Sequence, residues 1–445
     1  MQQNSDTASE KIRQQFNFGP YPRISIDESP HHPNLLFIHN AVTAYHLRYH
    51  RLVSTAGMRI LDVGCGTGFR TLALAQANLD AQVIGIDLSE QSIELAKLRV
   101  CHHDRPDVQF HVLDLQNLPS LGLKFDYINC DEVLYLYPDL VQGLQVLKAV
   151  LKPNGIIRAN LHSALQRAEL YRAQAAFRML GLFDRNPENT EVEAVQDFMQ
   201  SLQRGVNIKE RTWRAHLEKQ DATEHILMNY LFQGDKGYTI TEMFAALESA
   251  GLEFVSMVNW HQWHLWNLFE NPDRLPKVLA TQLPQMSIAQ KLQLFEYLHP
   301  VHRLLDFWCA HPQTELPASV AKWQPTDWAK RWSQVRVSLH PQLRTAQFRE
   351  MCLTCLKAQK PLPITNYLDA SVDKPILLDT RTVACLLPLI DESPQLLVAL
   401  IKRWMELYPR DPISLESVLP ETVLVELKQI LTRLEVFLYV LLEAV

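Results

Sequence analysis

Residues 61–68 read Leu-Asp-Val-Gly-Cys-Gly-Thr-Gly and stand between an apolar run at 58–63 and a helical pattern that begins at Thr71. Glycines at such a junction let the backbone turn sharply and come close to a ligand. A nicotinamide-dinucleotide fingerprint needs its third glycine at the position of Phe69. The loop has no basic residue to neutralise phosphate, and Asp62 precedes the first glycine by two residues. This stretch therefore predicts a ligand with a cationic amine and disfavours a pyrophosphate.

Strand and helix patterns alternate on both sides of this loop. The predicted strands are 58–63, 82–87, 108–113, 125–130 and 155–161, and the predicted helices are 71–77, 89–100 and 140–151. Strands separated by helices indicate a parallel sheet with right-handed crossovers. Ligands of such sheets bind beyond the carboxyl ends of the strands. The predicted fold class is therefore α/β, with the glycine loop at the binding edge.

Acids close two of these strands, and a turn motif precedes the last one. Asp87 ends the second strand, Asp114 follows the third, and Leu-Lys-Pro-Asn-Gly at 151–155 leads into the fifth. Together with the glycine loop, these elements make residues 55–162 resemble the class I S-adenosylmethionine (SAM) methyltransferases. The resemblance implies a Rossmann-like sheet that binds SAM and releases S-adenosyl-L-homocysteine (SAH).

The resemblance also assigns cofactor contacts residue by residue. Asp87 stands where the family binds both ribose hydroxyls, and Asp114 stands where its acid meets the adenine amine. Gly64 and Gly66 are expected to lie against the methionine part of SAM. The full expected cofactor set is Asp62, Gly64, Cys65, Gly66, Gly68, Asp87, Leu88, Asp114, Leu115 and Asn129.

The acceptor side is expected at the ends of the fourth and fifth strands and on the N-terminal segment. The catalytic candidates are His162, Asp131, Glu132 and Tyr21. His162 is the best general base by its ordinary pKa, and a solvent-facing or capping histidine is the alternative. Asp131 and Glu132 are either acceptor-side acids or helix caps. Tyr21 belongs to an aromatic stretch that is expected to fold over the cofactor or to pack on the surface.

Two further sequence features bear on the chemistry. Many small-molecule members of the resembled family have a histidine shortly before the acid that aligns with Asp139, and the aligned position here is Leu136. A catalytic histidine is therefore not available there. His261 and His264 have the spacing of helical metal ligands but no accompanying acid, so no metal is expected.

Composition divides the chain into two halves. All 14 glycines lie at or before Gly251, and all nine tryptophans lie at or after Trp213. Tight turns use glycine and packed helices avoid it, so an α/β half followed by a helical half is expected. The expected segments are a cap at 1–50, the SAM-binding core at 51–162, a helical insertion or lid at 163–236, the end of the sheet at 237–270 with a late antiparallel edge strand at 252–260, and a helical C-terminal domain of short helices at 271–445.

Charge and hydropathy limit the class of protein. The formal net charge of -6 gives no general attraction to nucleic acid or anionic lipid. No apolar stretch approaches the roughly 18 residues of a membrane span, and the polar start shows no secretory signal. The seven cysteines are scattered irregularly, which fits a reducing cytoplasm.

The layout looks like that of bacterial methyltransferases that carry a C-terminal regulatory, winged-helix-like domain and modify protein side chains. We therefore expect methyl transfer to a protein side chain of Asn, Lys or Arg type, with the protein docking on the C-terminal domain. Two alternatives stay open. The first is a small-molecule O-, N- or C-methyltransferase, and the second is a non-catalytic SAM-binding scaffold.

Overall fold

The computed structural model describes residues 2–219, 222–271, 274–368, 375–411 and 413–445, and for residues 2–9 and 218 it describes the backbone alone. The chain divides into two compact units. The first unit contains the residues before Pro30, Met58–Ala75 and Ala81–Pro312, and the second contains Pro30–Gly57, Gln76–Asp80 and Gln313–Val445. Among the described residues, no helix combines the length and the apolar character that a membrane crossing requires.

A mixed sheet forms the centre of the first unit. Its strands are β1 Arg59–Val63, β2 Gln82–Asp87, β3 Gln109–Val112, β4 Phe125–Cys130, β5 Leu151–Ser163, β6 Gly237–Tyr238, β7 Glu253–Met257 and β8 Leu304–Ala310. They follow the order β3-β2-β1-β4-β5-β8-β7, with β6 paired to β5. β1 to β5 pair in parallel, whereas β8 runs antiparallel to both β5 and β7. The carboxyl ends of the five parallel strands therefore share one edge.

Helices connect the strands and build most of the second unit. In chain order they are α1 Gln2–Phe18, α2 Pro33–His39, α3 Ala41–Tyr49, α4 Phe69–Ala77, α5 Glu90–His102, α6 Leu140–Val150, α7 Ala168–Met179, α8 Asn189–Ser201, α9 Asn207–Thr212, α10 Thr223–Asn229, α11 Ile240–Ala250, α12 Lys277–Gln282, α13 Ile288–Leu298, α14 Pro325–Arg331, α15 Ala346–Ala358, α16 Thr380–Leu386, α17 Leu397–Leu407 and α18 Pro420–Val436. Ser89 caps α5, because its hydroxyl accepts the N–H of Ser92 at 3.1 Å.

The antiparallel side of the sheet both confirms and corrects the sequence predictions. The late strand predicted at 252–260 is present as β7 at the edge of the sheet. It is antiparallel to its neighbour β8 and so runs in the same direction as β5, which makes β8 the strand that opposes the others. The expectation that only short helices follow residue 271 is wrong, because residues 304–310 form the strand β8, which lies between β5 and β7. The β8 residues Phe307, Trp308 and Cys309 are fully buried, so burial between two strands decides their conformation.

The helical insertion has an apolar cluster of its own. It is formed by α7 to α10 and the segments that join them, and its fully buried members include Phe177, Val195, Met199 and Tyr230. Helices that bury one face against each other in this way do not need a sheet to cover them. The expected helical character of 163–236 is therefore present in the structure.

The second unit is mainly helical and also contains short strands that were not expected. They are β9 Val335–Leu339, β10 Leu362–Pro363, β11 Leu377–Leu378, β12 Gln395–Leu396 and β13 Val440–Ala444. β9 lies between β12 and β13 in a three-stranded antiparallel sheet. The predicted fold class, a Rossmann-like sheet with a helical insertion and a mainly α-helical C-terminal region, is confirmed.

The second unit also includes α2 and α3 from the region that the sequence assigns to the N-terminal cap. The hydroxyl of Thr43 lies 3.1 Å from Nε2 of His340, and Nε2 of His46 lies 3.1 Å from the carboxylate of Glu435. These contacts join segments almost 300 and almost 400 residues apart in the chain. Local patterns do not reveal such long-range pairing.

Candidate active site

The glycine loop after β1 uses left-handed backbone that only glycine adopts without strain. The φ angle is +67° at Gly64, +50° at Gly66 and +81° at Gly68. A Cβ on Gly64 would lie 2.2 Å from Cγ2 of Val133, and a Cβ on Gly66 would lie 2.2 Å from the carbonyl oxygen of Tyr21. The protein itself therefore excludes side chains at these two positions, which the sequence alone attributes to a ligand.

Asp87 stands at the end of β2 and supports the loop. Its carboxylate accepts the N–H of Gly66 at 2.9 Å and the N–H of Ser89 at 2.8 Å. Burial raises the pKa of Asp87 above its ordinary value, while these backbone donors act in the opposite direction. The side chains of Asp87 and Leu88 are partly exposed. A carboxylate has about four acceptor positions, so Asp87 keeps acceptor capacity for hydroxyl groups of a ligand.

Asp114 lies on the neighbouring strand end. β3 pairs with β2 so that Val112 stands opposite Asp87, and the N–H of Leu113 donates to the carbonyl of Asp87 at 2.9 Å. The Asp114 carboxylate caps the short helix 115–121 through the N–H of Gln116 at 2.8 Å. Leu115, the next residue, is buried. The structure therefore brings the two predicted nucleoside-binding acids to adjacent strand ends.

Asp62 and Asn129 meet inside the sheet. The carboxylate of Asp62 accepts from the Thr71 hydroxyl at 2.5 Å and from Nδ2 of Asn129 at 2.8 Å. Burial raises the pKa of Asp62 to about 6, against the effect of these two donors. Asn129 is fully buried and its amide oxygen accepts from Arg158 at 2.9 Å. Its side chain thus positions Asp62, and Cys65 is likewise buried under the loop.

The N-terminal segment lies on the glycine loop. The carbonyl of Tyr21 accepts the N–H of Thr67 at 3.0 Å, and the carbonyl of Pro22 accepts the Thr67 hydroxyl at 2.8 Å. The guanidinium of the buried Arg99 donates to the carbonyls of Thr67 at 3.0 Å and Ile24 at 2.7 Å. The segment and the loop therefore form one hydrogen-bonded structure, which fits the lid position predicted for Tyr21.

A buried polar chain crosses β4, β5 and β8. Arg158, with 3% of its side chain exposed, donates to Asp306 through Nε at 3.1 Å and Nη2 at 2.6 Å. Nη2 also lies 3.7 Å from the carboxylate of Asp131. Asp131 forms a closer ion pair with Arg70 and accepts from the amide of Asn160. The predicted acid Asp131 is therefore neutralised by two arginines at the end of β4.

Glu132 lies next to Asp131 and is paired with a residue that the sequence did not single out. Arg303 donates to the two carboxylate oxygens of Glu132, at 3.0 Å through Nη1 and at 2.5 Å through Nη2. The hydroxyl of Tyr135 donates to the same carboxylate at 3.1 Å. Burial acts to raise the pKa of Glu132, but the hydrogen bonds and charge of Arg303 outweigh it and lower the pKa below its ordinary value.

His162 is buried between an acid and the same arginine. Its Nδ1 lies 2.6 Å from Oδ1 of Asp235, its Nε2 lies 3.0 Å from Nη1 of Arg303, and its ring stacks on Tyr135 at 3.7 Å. Since a guanidinium only donates, Nε2 accepts and Nδ1 carries the proton. Burial lowers the pKa of His162 in spite of Asp235. In this arrangement the ring has no free lone pair, so a role as base requires Arg303 to move away.

Asp235 holds the ring of His162 in this orientation. Its side chain is fully buried and also accepts from Arg167 at 2.9 Å and from Nε2 of Gln174 at 2.9 Å. Burial acts to raise the pKa of Asp235, but the hydrogen bond and charge of His162 and the charge of Arg167 lower it to about 2. Asp235 therefore remains ionised at neutral pH and holds the ring of His162 in place.

The chemistry of this strand edge fits SAM. Two partly exposed carboxylates, Asp87 and Asp114, end adjacent strands and suit the hydroxyl and amine donors of a nucleoside. The glycine loop stands between β2 and β4 in space, where sheets of this type bind nucleosides. The profile of a family described as "Methyltransferase domain" matches residues 54–205. Residues 54–205 therefore form a methyltransferase domain of the class I SAM-dependent type.

Known proteins resemble the methyltransferase over different lengths. An uncharacterized protein of Synechococcus sp. is 25% identical over 296 residues, which are 66% of this chain and 70% of that protein. A ubiquinone biosynthesis O-methyltransferase of Paracidovorax citrulli is 33% identical over 135 residues, which are 30% of this chain and 56% of that protein. The chain thus spans about half the length of this O-methyltransferase.

One solved structure shares the fold of nearly the whole methyltransferase. The structure of PKMT2 from Rickettsia typhi superposes with a TM-score of 0.55 and 18% sequence identity, and it covers 95% of this chain and 76% of that chain. A second structure of PKMT2 was determined in complex with AdoHcy. The similarity therefore extends through the second unit at the level of the fold.

Three residues of the acceptor side were missed by sequence reasoning. Arg303 lies just before β8, in a stretch interpreted as helical, and Asp235 lies in a Gly-Asp-Lys-Gly loop. Arg158 stands alone in the apolar run of β5, and a lone charge in a buried strand calls for a buried partner. That signal is readable in the sequence, but it does not identify Asp306 as the partner.

Proposed function

We propose that the methyltransferase transfers the methyl group of SAM to a nitrogen of a protein side chain. The observation that carries this proposal is the ion pair at the end of β4. The side chain of Glu132 is 15% exposed and that of its partner Arg303 is 43% exposed. A charged acceptor side that reaches solvent suits a polar side chain that enters from outside. A flat, apolar small-molecule acceptor would be bound better by a pocket lined with apolar side chains.

SAM supplies an electrophilic methyl group on a sulfonium. The acceptor nitrogen forms the new bond to carbon with its lone pair, the carbon–sulfur bond breaks toward sulfur, and SAH leaves. An acceptor that binds as a cation loses one proton to solvent before the attack, because only then is the lone pair of the nitrogen free. The residues at this edge hold the nucleoside through Asp87 and Asp114, cover the glycine loop with the segment at Tyr21, and hold the acceptor near the end of β4.

The fold shared with PKMT2 includes the second unit, but at 18% sequence identity it leaves the acceptor open. The name of the O-methyltransferase relative favours a small-molecule acceptor instead. That similarity covers only 30% of this chain, so it reaches the cofactor-binding part and leaves the acceptor open. We place the reaction in a reducing compartment, which is supported by the seven free cysteines.

Labelling with tritiated SAM tests the proposal. The full-length protein is incubated with a lysate of the source organism from which its gene has been deleted, and radioactivity is counted separately in macromolecular and small-molecule fractions. Asp87→Ala is the control variant for background label. We expect label in protein, released as a methylated amino acid after acid hydrolysis. Label confined to small molecules would favour the metabolite acceptor, and no label in either fraction would favour the non-catalytic scaffold.

A further inference from the structure

Arg303 neutralises Glu132 from the solvent side. The guanidinium donates to both carboxylate oxygens, and the side chain that carries it is 43% exposed, against 15% for Glu132. An exposed arginine can leave such a pair by rotation, whereas Glu132 is fixed by its surroundings. The backbone N–H of Glu132 donates to Asn160 at 2.8 Å, and the hydroxyl of Tyr135 holds its carboxylate.

The backbone at Glu132 is strained. Its φ angle is +60°, in the left-handed region that residues other than glycine rarely adopt. Such outliers persist only when the surrounding structure holds them, and they cluster at functional sites. The strained backbone places the carboxylate of Glu132 at the end of β4, and the hydrogen bond from the backbone N–H of Glu132 to Asn160 stabilises this conformation.

Glu132 also stands beside the cofactor edge. Its neighbour Val133 is the residue that a Cβ on Gly64 would touch. The side chain of Tyr21, whose carbonyl lies on Gly66, is close enough to Glu132 and Arg303 for both charges to act on it. Burial and the charge of Glu132 raise the pKa of Tyr21 to about 12, against the effect of Arg303. The carboxylate of Glu132 therefore meets the hydroxyl of Tyr135 at the end of β4, and its charge also acts on Tyr21.

We propose that the guanidinium of Arg303 occupies the position that the cationic side chain of the acceptor takes when it binds. The carboxylate of Glu132, here called the anchor, then pairs with that cation and so selects the acceptor. The inference rests on the proposed function and narrows it, because it favours lysine or arginine over asparagine. The physical reason is charge balance. If the acceptor displaces Arg303, a neutral amide would leave the half-buried Glu132 carboxylate without a cation, whereas an ammonium or guanidinium replaces the lost charge.

A binding experiment tests this without knowledge of the natural acceptor. The full-length protein is saturated with SAH, and n-butylammonium chloride is titrated at constant ionic strength while the melting temperature is followed. 1-Butanol is the uncharged probe. We expect Arg303→Met to bind n-butylammonium about fivefold or more tightly than the wild type, because the competing guanidinium is gone. Arg303→Lys, which keeps an internal cation, should resemble the wild type.

A second pair of variants isolates the anchor. Glu132→Gln in the Arg303→Met background keeps the shape and removes the charge, so n-butylammonium should bind no better than 1-butanol. Arg185→Met is the matched control, because Arg185 is an exposed arginine ion-paired with Glu191 at 3.0 Å in the same unit. It should leave the affinity for n-butylammonium unchanged. Equal affinities in wild type and Arg303→Met, or retained ammonium binding in the double variant, would overturn the proposal.

Failure of the proposed function can be told apart from failure of this inference. The n-butylammonium titration requires no methyl transfer, so it stands even if no protein is labelled. Where a labelled protein is found, Glu132→Gln should raise KM for that protein about tenfold while the Kd for SAM stays at the wild-type value. Transfer to an asparagine, with KM unaffected by Glu132→Gln, would keep the protein acceptor and reject the cation-selecting anchor.

Discussion

Replacing Gly66 with alanine tests how the N-terminal segment is held on the glycine loop. Gly66 has a φ angle of +50°, which costs an L-residue about 1–2 kcal/mol. The new Cβ would stand 2.2 Å from the carbonyl oxygen of Tyr21, and real Cβ atoms essentially never come closer than 3.0 Å. Tyr21 must therefore move back, although its carbonyl accepts the N–H of Thr67 at 3.0 Å.

The cost of that movement follows from the bonds it breaks. Loss of the Thr67 N–H bond to Tyr21, and of the Thr67 hydroxyl bond to Pro22, costs about 1 kcal/mol each. Together with the backbone strain, we expect Gly66→Ala to lower the free energy of unfolding by about 3–4 kcal/mol. Gly122→Ala is the matched control, because Gly122 has a φ angle of +63° and no heavy atom within 4 Å of its Cβ. It should cost about 1–2 kcal/mol.

The free energies of unfolding are measured by urea titration with tryptophan fluorescence, and SAM binding is measured by calorimetry. The excess of about 2 kcal/mol in Gly66→Ala over Gly122→Ala reports the displaced N-terminal segment. We expect the SAM affinity of Gly66→Ala to fall about tenfold or more, and that of Gly122→Ala to stay within about twofold of wild type. Equal destabilisation of the two variants, with wild-type SAM affinity in both, would refute the reasoning.

Two further predictions follow from the acids of the site. Asp87→Ala should weaken SAM binding about 10- to 150-fold, because hydrogen bonds to a charged acceptor contribute about 1.5–3 kcal/mol; an unchanged calorimetric Kd in a folded variant would contradict its role at the ribose. The second prediction concerns pH. The folded pKa of Asp235 is lowered to about 2, below its unfolded value, so its contribution to stability is present above about pH 4 and is lost as the pH falls toward 2. Asp235→Asn should therefore destabilise the protein by about 2–3 kcal/mol at neutral pH and by progressively less below pH 4. A difference in unfolding free energy that stays constant from pH 7 to pH 2.5 would argue against this account.

The five parallel strands and the cofactor edge were predictable because they depend on local patterns. β1, β2, β4 and β5 are mostly buried apolar runs, whereas β3 at the edge of the sheet is largely exposed. Glycine and acid at the strand ends mark the binding edge. Asp87 and Asp114 stand at adjacent strand ends, as the sequence predicts. Their contacts with SAM remain predictions that the affinity measurements above address.

The acceptor side was less predictable because its partners come from distant parts of the chain. Glu132 and His162 were named from their positions after β4 and β5, but their shared partner Arg303 precedes a strand that local patterns did not reveal. The apolar run Leu-Leu-Asp-Phe-Trp-Cys-Ala is compatible with either a buried helix or a buried strand, and periodicity alone does not separate them. The partner of a buried charge is set by tertiary pairing, so the lone Arg158 of β5 indicates the need for a buried acid without identifying Asp306.

The interleaved order of the two units has a consequence for synthesis on the ribosome. α2 and α3 leave the exit tunnel early, yet His46 pairs with Glu435, and the carboxylate of Glu435 also accepts the N–H of Leu442 in the last strand. The second unit therefore cannot close until residues 435–442 have left the ribosome, and side chains that are buried in the structure, such as Phe37 and Tyr45, stay exposed until then. Slow translation or premature termination would present these apolar helices to chaperones and proteases. The yield of native protein should therefore depend on the supply of chaperones more strongly than it does for a chain whose domains are synthesised and fold one after the other.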